Sequence, residues 1–352
     1  MSTKKTVLIA VLVFIVLIFF SLFVSRGVNK MLGIKGSSAT VLAGKDNWLV
    51  INPSGTVPEY NEIQAMPMFQ KLSANSVESI STKIRYAITD VRIKGILLEP
   101  SGGGFSLPAI HEIGLALNEF KAAGKPVYAA GDMISQADYL LASYADEIAL
   151  DPSASGGIML TGVGANSLFF KGFLDKYGIK MHVIQAGEFK GAGEPFSQTG
   201  FSEGTRQNIA KVLSGLFEEM LSLLATNRGL TVEDMRAVYN DRRDLFILAD
   251  EALELKLIDT ASTLADYLAK HKITKNRTVS IAKYKNPVKL AKGDKIAVVY
   301  LSGDITPGTA SYGKSQISYN KVRKITQDIS KNKQVKAVVL RVDSPGGSAL
   351  ES

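Results

Sequence analysis

The stretch "IKGILLEPSGGG" (93–104) decides the fold. Its apolar first half is short and rich in branched side chains, which suits a buried strand better than a helix. The strand runs directly into a glycine turn. Around it, strands and helices alternate. "NWLVI" (47–51) reads as a strand, and "NSVESISTKIRYAITD" (75–90) as a helix with Val77, Ile80, Ile84 and Ile88 at helical spacing. Asn75 and Glu78 resemble a capping box at its start. Leu107 to Ala123 is a second helix, with Ile110, Ile113, Leu117 and Phe120 on one face, Pro108 near its start and Gly124 just past its end. "KPVYAAG" (125–131) and "EIALDP" (147–152) are further strands, with a helix from Gln136 to Ser143 between them. This alternation predicts an α/β fold built on a parallel sheet with right-handed crossovers. Farther on, 167–177 and 204–227 read as helices flanking a strand at 180–186 ("KMHVIQA").

The same unit recurs. "WLVINPSGTV" (48–57) matches "AVVYLSGDIT" (297–306), with Gly55 facing Gly303. The opening stretch, extended to 106, matches "VKAVVLRVDSPGGSA" (335–349), with Gly103 facing Gly346, and helix 75–90 has a counterpart near Tyr319 to Asn332. The sequence therefore predicts a duplicated domain. The first copy covers 45–270, a basic linker covers 271–292, and a second copy opens at 293 and, as written, stops at its glycine turn by 352. Two strands without a crossover helix do not bury a core, so the expectation is a second domain that is incomplete.

Composition sets bounds. The 352 residues leave room for a sizeable core, and 46% apolar with 21% charged residues is ordinary for a globular protein. The absence of cysteine excludes disulfides and thiolate chemistry. Much of the formal charge of +8 lies around the N-terminus and in 270–295, without the aromatic interleaving of a nucleic-acid module. Solvated linker or membrane-surface charge explains it better, and no nucleic-acid partner is expected. Thr6 to Ser25 carries no charge. As a helix it would rise about 30 Å, enough to cross a bilayer core. It lacks the small-residue pattern of a cleavage site, so residues 1–30 are expected to be an uncleaved, single-pass anchor. Lys4 and Lys5 precede the apolar run and Arg26 and Lys30 follow it, so charge orients it only weakly; a cytoplasmic N-terminus is the simpler arrangement.

Metal and phosphate chemistry find no support. His111, His182 and His271 are scattered, and there is no His-Glu-x-x-His pair or P-loop. "TGVGAN" (161–166) reads as turn glycines. The informative loop is "QAGEFKGAGEPFSQTGFSEGTRQ" (185–207), where Lys190 lies among Gly187, Gly191, Ala192 and Gly193. Small neighbours let other chain pack close, and a desolvated lysine has the lowered pKa that a general base needs. The plainer reading is a surface lysine on a glycine loop, and spacing alone favours it.

The stretch "GEFKGAGEPFS" closely resembles the lysine motif of the signal peptide peptidase A family of bacterial membrane-anchored proteases. "GILLEPSGGG", "GKPVYAAGDMISQADYLLASYADEIALDP", "LTGVGANSLFFKGFLDKYGI" and "VLRVDSPGGS" agree with that family in order along nearly the whole chain. The resemblance is to the long form, with two crotonase-like, Clp-protease-like domains. It implies a serine endopeptidase with a Ser–Lys dyad that cleaves remnant signal peptides. Its setting would be the bacterial cytoplasmic membrane, with catalytic domains on the outer, periplasmic face. It also implies a homo-oligomeric, tetramer-like ring, with peptides and the bilayer as partners and no cofactor or metal.

By the same resemblance Lys190 is the general base, and the backbone N–H groups of Gly346 and Gly347 help hold the oxyanion; a bare tight turn is the alternative for these glycines. Gln136 occupies the position equivalent to the nucleophile, with Ser135 adjacent but turned about 100° away on a helix start. Ser344 and Ser348 belong to the oxyanion turn. The nucleophilic serine is therefore expected beyond residue 352, and this chain is expected to be inactive alone. Two other classes compete: a catalytically dead membrane scaffold from a truncated gene, and a crotonase-type acyl-CoA enzyme. The anchor and the lysine loop argue against the second.

Overall fold

The computed structural model describes residues 44–60, 75–100, 102–187, 189–240, 245–285, 293–308 and 316–352. These fall into two compact units, one up to Asn286 and one from Pro287. The expected anchor (1–30) lies outside the described residues. Among those described, no helix is long and apolar enough to cross a membrane.

The first unit is built on a six-stranded parallel sheet. Its strands are β1 (Asn47–Ile51), β3 (Ile93–Leu98), β5 (Val127–Gly131), β7 (Glu147–Leu150), β10 (Thr260–Ala261) and β11 (Thr278–Ser280), in the order β10-β7-β5-β3-β1-β11. The crossovers are α1 (Val77–Thr89), α2 (Leu107–Ala122) and α3 (Gln136–Ala142). Both sheet faces are covered, which is why the strands read as continuous apolar runs. On one face Leu49, Ile51, Ile96 and Leu98 pack with Ile80, Ile84, Ile113 and Phe120 of α1 and α2. On the other, Trp48, Val50 and Leu97 pack with Tyr267 and Ile273 beside helix α9 (Leu264–Lys270). Each such side chain contributes about 1.5–3 kcal/mol when fully buried. Gly95 is required in β3, because a Cβ there would lie 2.5 Å from the Trp48 ring and 2.8 Å from the Pro126 carbonyl.

Beyond the strands' carboxyl ends lie two small sheets. β2 (Gly55–Thr56) pairs in parallel with β4 (Gly103–Gly104). β6 (Met133–Ser135) pairs with β8 (Gly157–Met159), and β8 with β9 (Phe246–Leu248). The long helix α6 (Glu203–Arg228) buries Met220, Leu221, Leu223, Leu224 and Ala225 in its C-terminal half. Farther towards its start Val212 and Leu216 remain exposed.

Four expectations need correction. The cap of α1 is Ser76, whose side chain accepts from Ser79 N–H, and not Asn75. Of 167–177, only Lys171–Lys176 is helical (α4). Residues 180–186 form no strand; they are exposed, Ile184 at 99%, and pair with no strand among the described residues. The expected linker begins as part of the first unit. Thr278, Val279 and Ser280 pair with Trp48, Leu49 and Val50, and Ile273, Ile281 and Tyr284 are buried. Burial of its apolar residues outweighs the exposure its lysines suggested. Residues 286–292 lie outside the described residues.

In the second unit β12 (Lys295–Ser302) and β15 (Val335–Asp343) pair in parallel, with helix α10 (Tyr319–Lys331) between them in sequence. Against expectation this unit has a crossover helix and buries a small core: Val299, Leu301 and Ile317, with Val322, Ile325 and Ile329 of α10 packed against them. β13 (Asp304–Ile305) pairs with β14 (Gln316–Ile317). The β12–β15 register shifts by one residue between Lys295 and Ile296, as the β1–β3 register does between Asn47 and Trp48.

Candidate active site

In parallel α/β sheets, ligands bind beyond the carboxyl ends of the strands. In the first unit this edge carries the glycine turn after β3 and the start of α3. Gly102 has φ +74°, a left-handed conformation that glycine adopts freely. Its N–H donates to Asp138 Oδ2 at 3.2 Å. Asp138 is only 5% exposed. Ser135, the N-cap of α3, donates its hydroxyl to the same carboxylate oxygen at 2.8 Å and accepts the Asp138 N–H at 3.2 Å. The turn's donor is thus occupied by a carboxylate of its own unit.

Gln136, one residue after that cap, is fully engaged. Its Nε2 donates to the Gly162 carbonyl at 2.9 Å, and its Oε1 accepts the Gly162 N–H at 2.7 Å and the Tyr239 hydroxyl at 3.2 Å. Neither Ser135 nor Gln136 presents a free nucleophile.

The lysine loop sits against the N-terminus of α6. Lys190 precedes a single 3₁₀ turn, Gly191–Gly193, which leads into the short helix α5 (Glu194–Ser197). Lys190 itself is exposed. The expected close packing falls on its neighbours instead: a Cβ at Gly191 would meet Thr205 Oγ1 at 2.3 Å, and one at Gly193 would meet Val183 Cγ1 at 2.4 Å. The glycines therefore let the loop pack on the rest of the unit, and they do not desolvate the lysine.

What the sequence did not single out is Glu194. It is 1% exposed, and its carboxylate accepts the Ser202 hydroxyl, the Ser202 N–H at 3.0 Å and the Thr205 hydroxyl at 2.8 Å. Ser202 is the N-cap of α6 and accepts the Thr205 N–H. The Ser202 hydroxyl and N–H hold the Glu194 carboxyl below the usual carboxylate range, with the Thr205 hydroxyl adding and burial opposing.

Gly346 and Gly347 lie in the second unit, at φ +102° and +150°. The Gly346 N–H donates to Ser344 Oγ at 3.2 Å, and its carbonyl accepts the Ile305 N–H. The Ser348 N–H donates to the Ile305 carbonyl at 2.8 Å. Among the described residues the Gly347 N–H has no acceptor, so of the two expected donors Gly347 is the free one. A Cβ at Gly347 would lie 2.1 Å from the Ile305 carbonyl.

No group of three or more His, Asp or Glu side chains able to hold a metal ion occurs among the described residues. His111 lies in α2, His182 in the exposed stretch after α4, and His271 follows α9 between the Tyr128 and Tyr267 rings.

Comparison with known proteins gives a match to peptidase family S49 over residues 119–278, a span that includes Gln136, Lys190 and Glu194. Residues 119–278 are similar to a peptidase family S49 domain. It is 32% identical to Protease 4 of Salmonella typhi over 304 residues, which are 80% of this chain and 47% of that protein. It is 29% identical to Protease 4 of Haemophilus influenzae, over 96% of this chain and 57% of that protein. It is 27% identical to the chloroplastic serine protease SPPA of Arabidopsis thaliana, over 80% of this chain and 43% of that protein. The chain is similar to peptidases of the signal peptide peptidase A type. It spans about half the length of the curated relatives it matches. The S49 match covers the lysine loop and does not reach Gly346 and Gly347.

Proposed function

We propose that this chain is the lysine-bearing part of a membrane-bound endopeptidase that cleaves remnant signal peptides through a Ser–Lys dyad. The observation that carries the reading is the lysine loop within the S49 domain: Lys190 is solvent-facing at a backbone position held by a buried carboxylate network. As the free amine, Lys190 takes the proton of the serine hydroxyl. The serine oxygen attacks the scissile carbonyl carbon, and backbone N–H groups stabilise the oxyanion. The peptide C–N bond then breaks, the lysine ammonium returns its proton to the leaving amine, and water hydrolyses the acyl-enzyme. Because Lys190 is exposed in its own unit, its desolvation has to come from whatever packs over the loop when nucleophile and substrate are in place.

The serine in this reading lies outside residues 1–352. Two observations support that: the amide of Gln136, which the resemblance puts at the equivalent position, is engaged with Gly162, and the Salmonella relative is about twice as long as the matched span. A crotonase-like duplication is supported by the recurrence of strand, helix, parallel strand and one-residue register shift in both units. The uncharged run 6–25 supports a single-pass anchor, which would keep the enzyme in the cytoplasmic membrane beside apolar peptides, with catalytic domains on the outer face. A ring-like homo-oligomer completes the proposal. The test is hydrolysis of a signal-peptide substrate by the native, membrane-extracted protein, with covalent capture by a fluorophosphonate. Capture and mapping of the labelled serine outside 1–352 is expected. No capture and no hydrolysis would favour the inactive scaffold.

A further inference from the structure

We infer that Glu194 is the positioning residue for Lys190, seating the lysine loop on the N-terminus of α6; this rests on the general-base reading of Lys190. A buried carboxylate is costly unless it is paired or hydrogen-bonded. Among the described residues, the bonds to the Glu194 carboxylate all come from a single helix start. The Ser202 N–H reaches Oε2, while the Ser202 and Thr205 hydroxyls reach Oε1. A negative charge there also meets the favourable end of a 26-residue helix.

The tie to the lysine is short and stiff. The Glu194 N–H closes the 3₁₀ turn on the Gly191 carbonyl, and the Lys190 N–H bonds the Gly187 carbonyl at 3.3 Å. Thr205, which holds the carboxylate, is also the residue against which Gly191 packs. The backbone beside Lys190 is therefore fixed through two contacts with Thr205, one to the adjacent glycine and one to the carboxylate at the end of the turn. The lysine side chain is left free to reach a reacting group. A general base displaced by about 1 Å loses on the order of 10² in rate.

The variants to compare in the native, full-length protein are Glu194→Ala, Glu194→Gln, Thr205→Val and Lys190→Ala, each with kcat, KM and thermal midpoint. Glu194→Ala is expected to lower kcat about 10²-fold with KM within about twofold. Glu194→Gln is expected to recover most of that loss: its oxygen can accept the Ser202 N–H while its NH₂ donates to the two hydroxyls. Thr205→Val, which removes one bond, should fall between them, and it carries the test if Glu194→Ala does not fold. Three results would overturn the inference: unchanged kcat in both Glu194→Ala and Thr205→Val, a loss confined to KM, or no recovery with Gln. With Lys190→Ala inactive, any of these would remove the inference alone. Wild-type turnover in Lys190→Ala would remove the general-base reading and this inference together.

Discussion

The side-chain amide of Gln136 and the backbone amide of Gly162 exchange two hydrogen bonds, 2.9 Å from Nε2 to the carbonyl and 2.7 Å from the N–H to Oε1. The pairing joins the start of α3 to the turn at 161–164, and the Tyr239 hydroxyl bonds the same Oε1. Gln136 thus works as a brace between these elements.

Gln136→Ala should therefore destabilise the first unit. Two backbone groups and a tyrosine hydroxyl would lose partners, at roughly 1–3 kcal/mol for each that stays buried and unsatisfied. Denaturant unfolding measures this, and an unchanged midpoint would contradict the brace. Gln136→Ser should behave the same way and gain no labelling by a fluorophosphonate.

Gly114 of α2 lies directly under the Tyr144 ring, where an added Cβ would meet ring carbons at 2.1–2.4 Å. The ring is buried and cannot swing away freely. Gly114→Ala gains helix propensity but overpacks the core, so a net loss of about 1–3 kcal/mol is expected. A thermal midpoint equal to or above wild type would show that Tyr144 yields.

Asp90 links the end of α1 to the last buried residues of the first unit. The Arg92 guanidinium bonds both of its carboxylate oxygens, at 2.9 and 2.7 Å, and the Tyr284 hydroxyl adds a bond at 2.8 Å. Chiefly through the Arg92 side chain, and against burial, the carboxyl is held down at about 2. Its folded pKa lies below the unfolded value of about 3.9. Its contribution to stability is therefore complete above pH 4 and lost as pH falls towards 2. Acid titration of unfolding should show a smaller loss over that window in Asp90→Asn than in wild type. Identical acid profiles would contradict the assignment.

Much of this fold is legible from hydrophobic period. Asn47–Ile51, Ile93–Leu98 and the helix from Leu107 fall where apolar runs, Pro108 and Gly124 put them, because buried parallel strands and capped helices leave local signatures. The stretch 180–186 has strand-like residues, but pairing is a tertiary property, and no strand pairs with it among the described residues. Val279, Ile281 and Tyr284 were hidden among lysines; their near-alternation from 279 to 284 was the available signal of a sixth strand. At the site, Lys190 was visible as a motif, while the use of its glycines for packing on Thr205 and Val183 required the fold. Ser135 and Asp138 stand at capping-box spacing, which hinted at the carboxylate now found on the Gly102 N–H. Glu194 left no local signal of its burial, since its partners Ser202 and Thr205 lie a loop away.

Lys190 carries the proposed chemistry most directly. Peptide hydrolysis by the native, full-length protein should be compared between wild type and Lys190→Ala, with circular dichroism and thermal midpoint measured alongside. The side chain is exposed, so folding should be unchanged. Loss of a general base should lower turnover by about 10²–10⁴-fold. Turnover close to wild type in a folded Lys190→Ala protein would contradict the dyad.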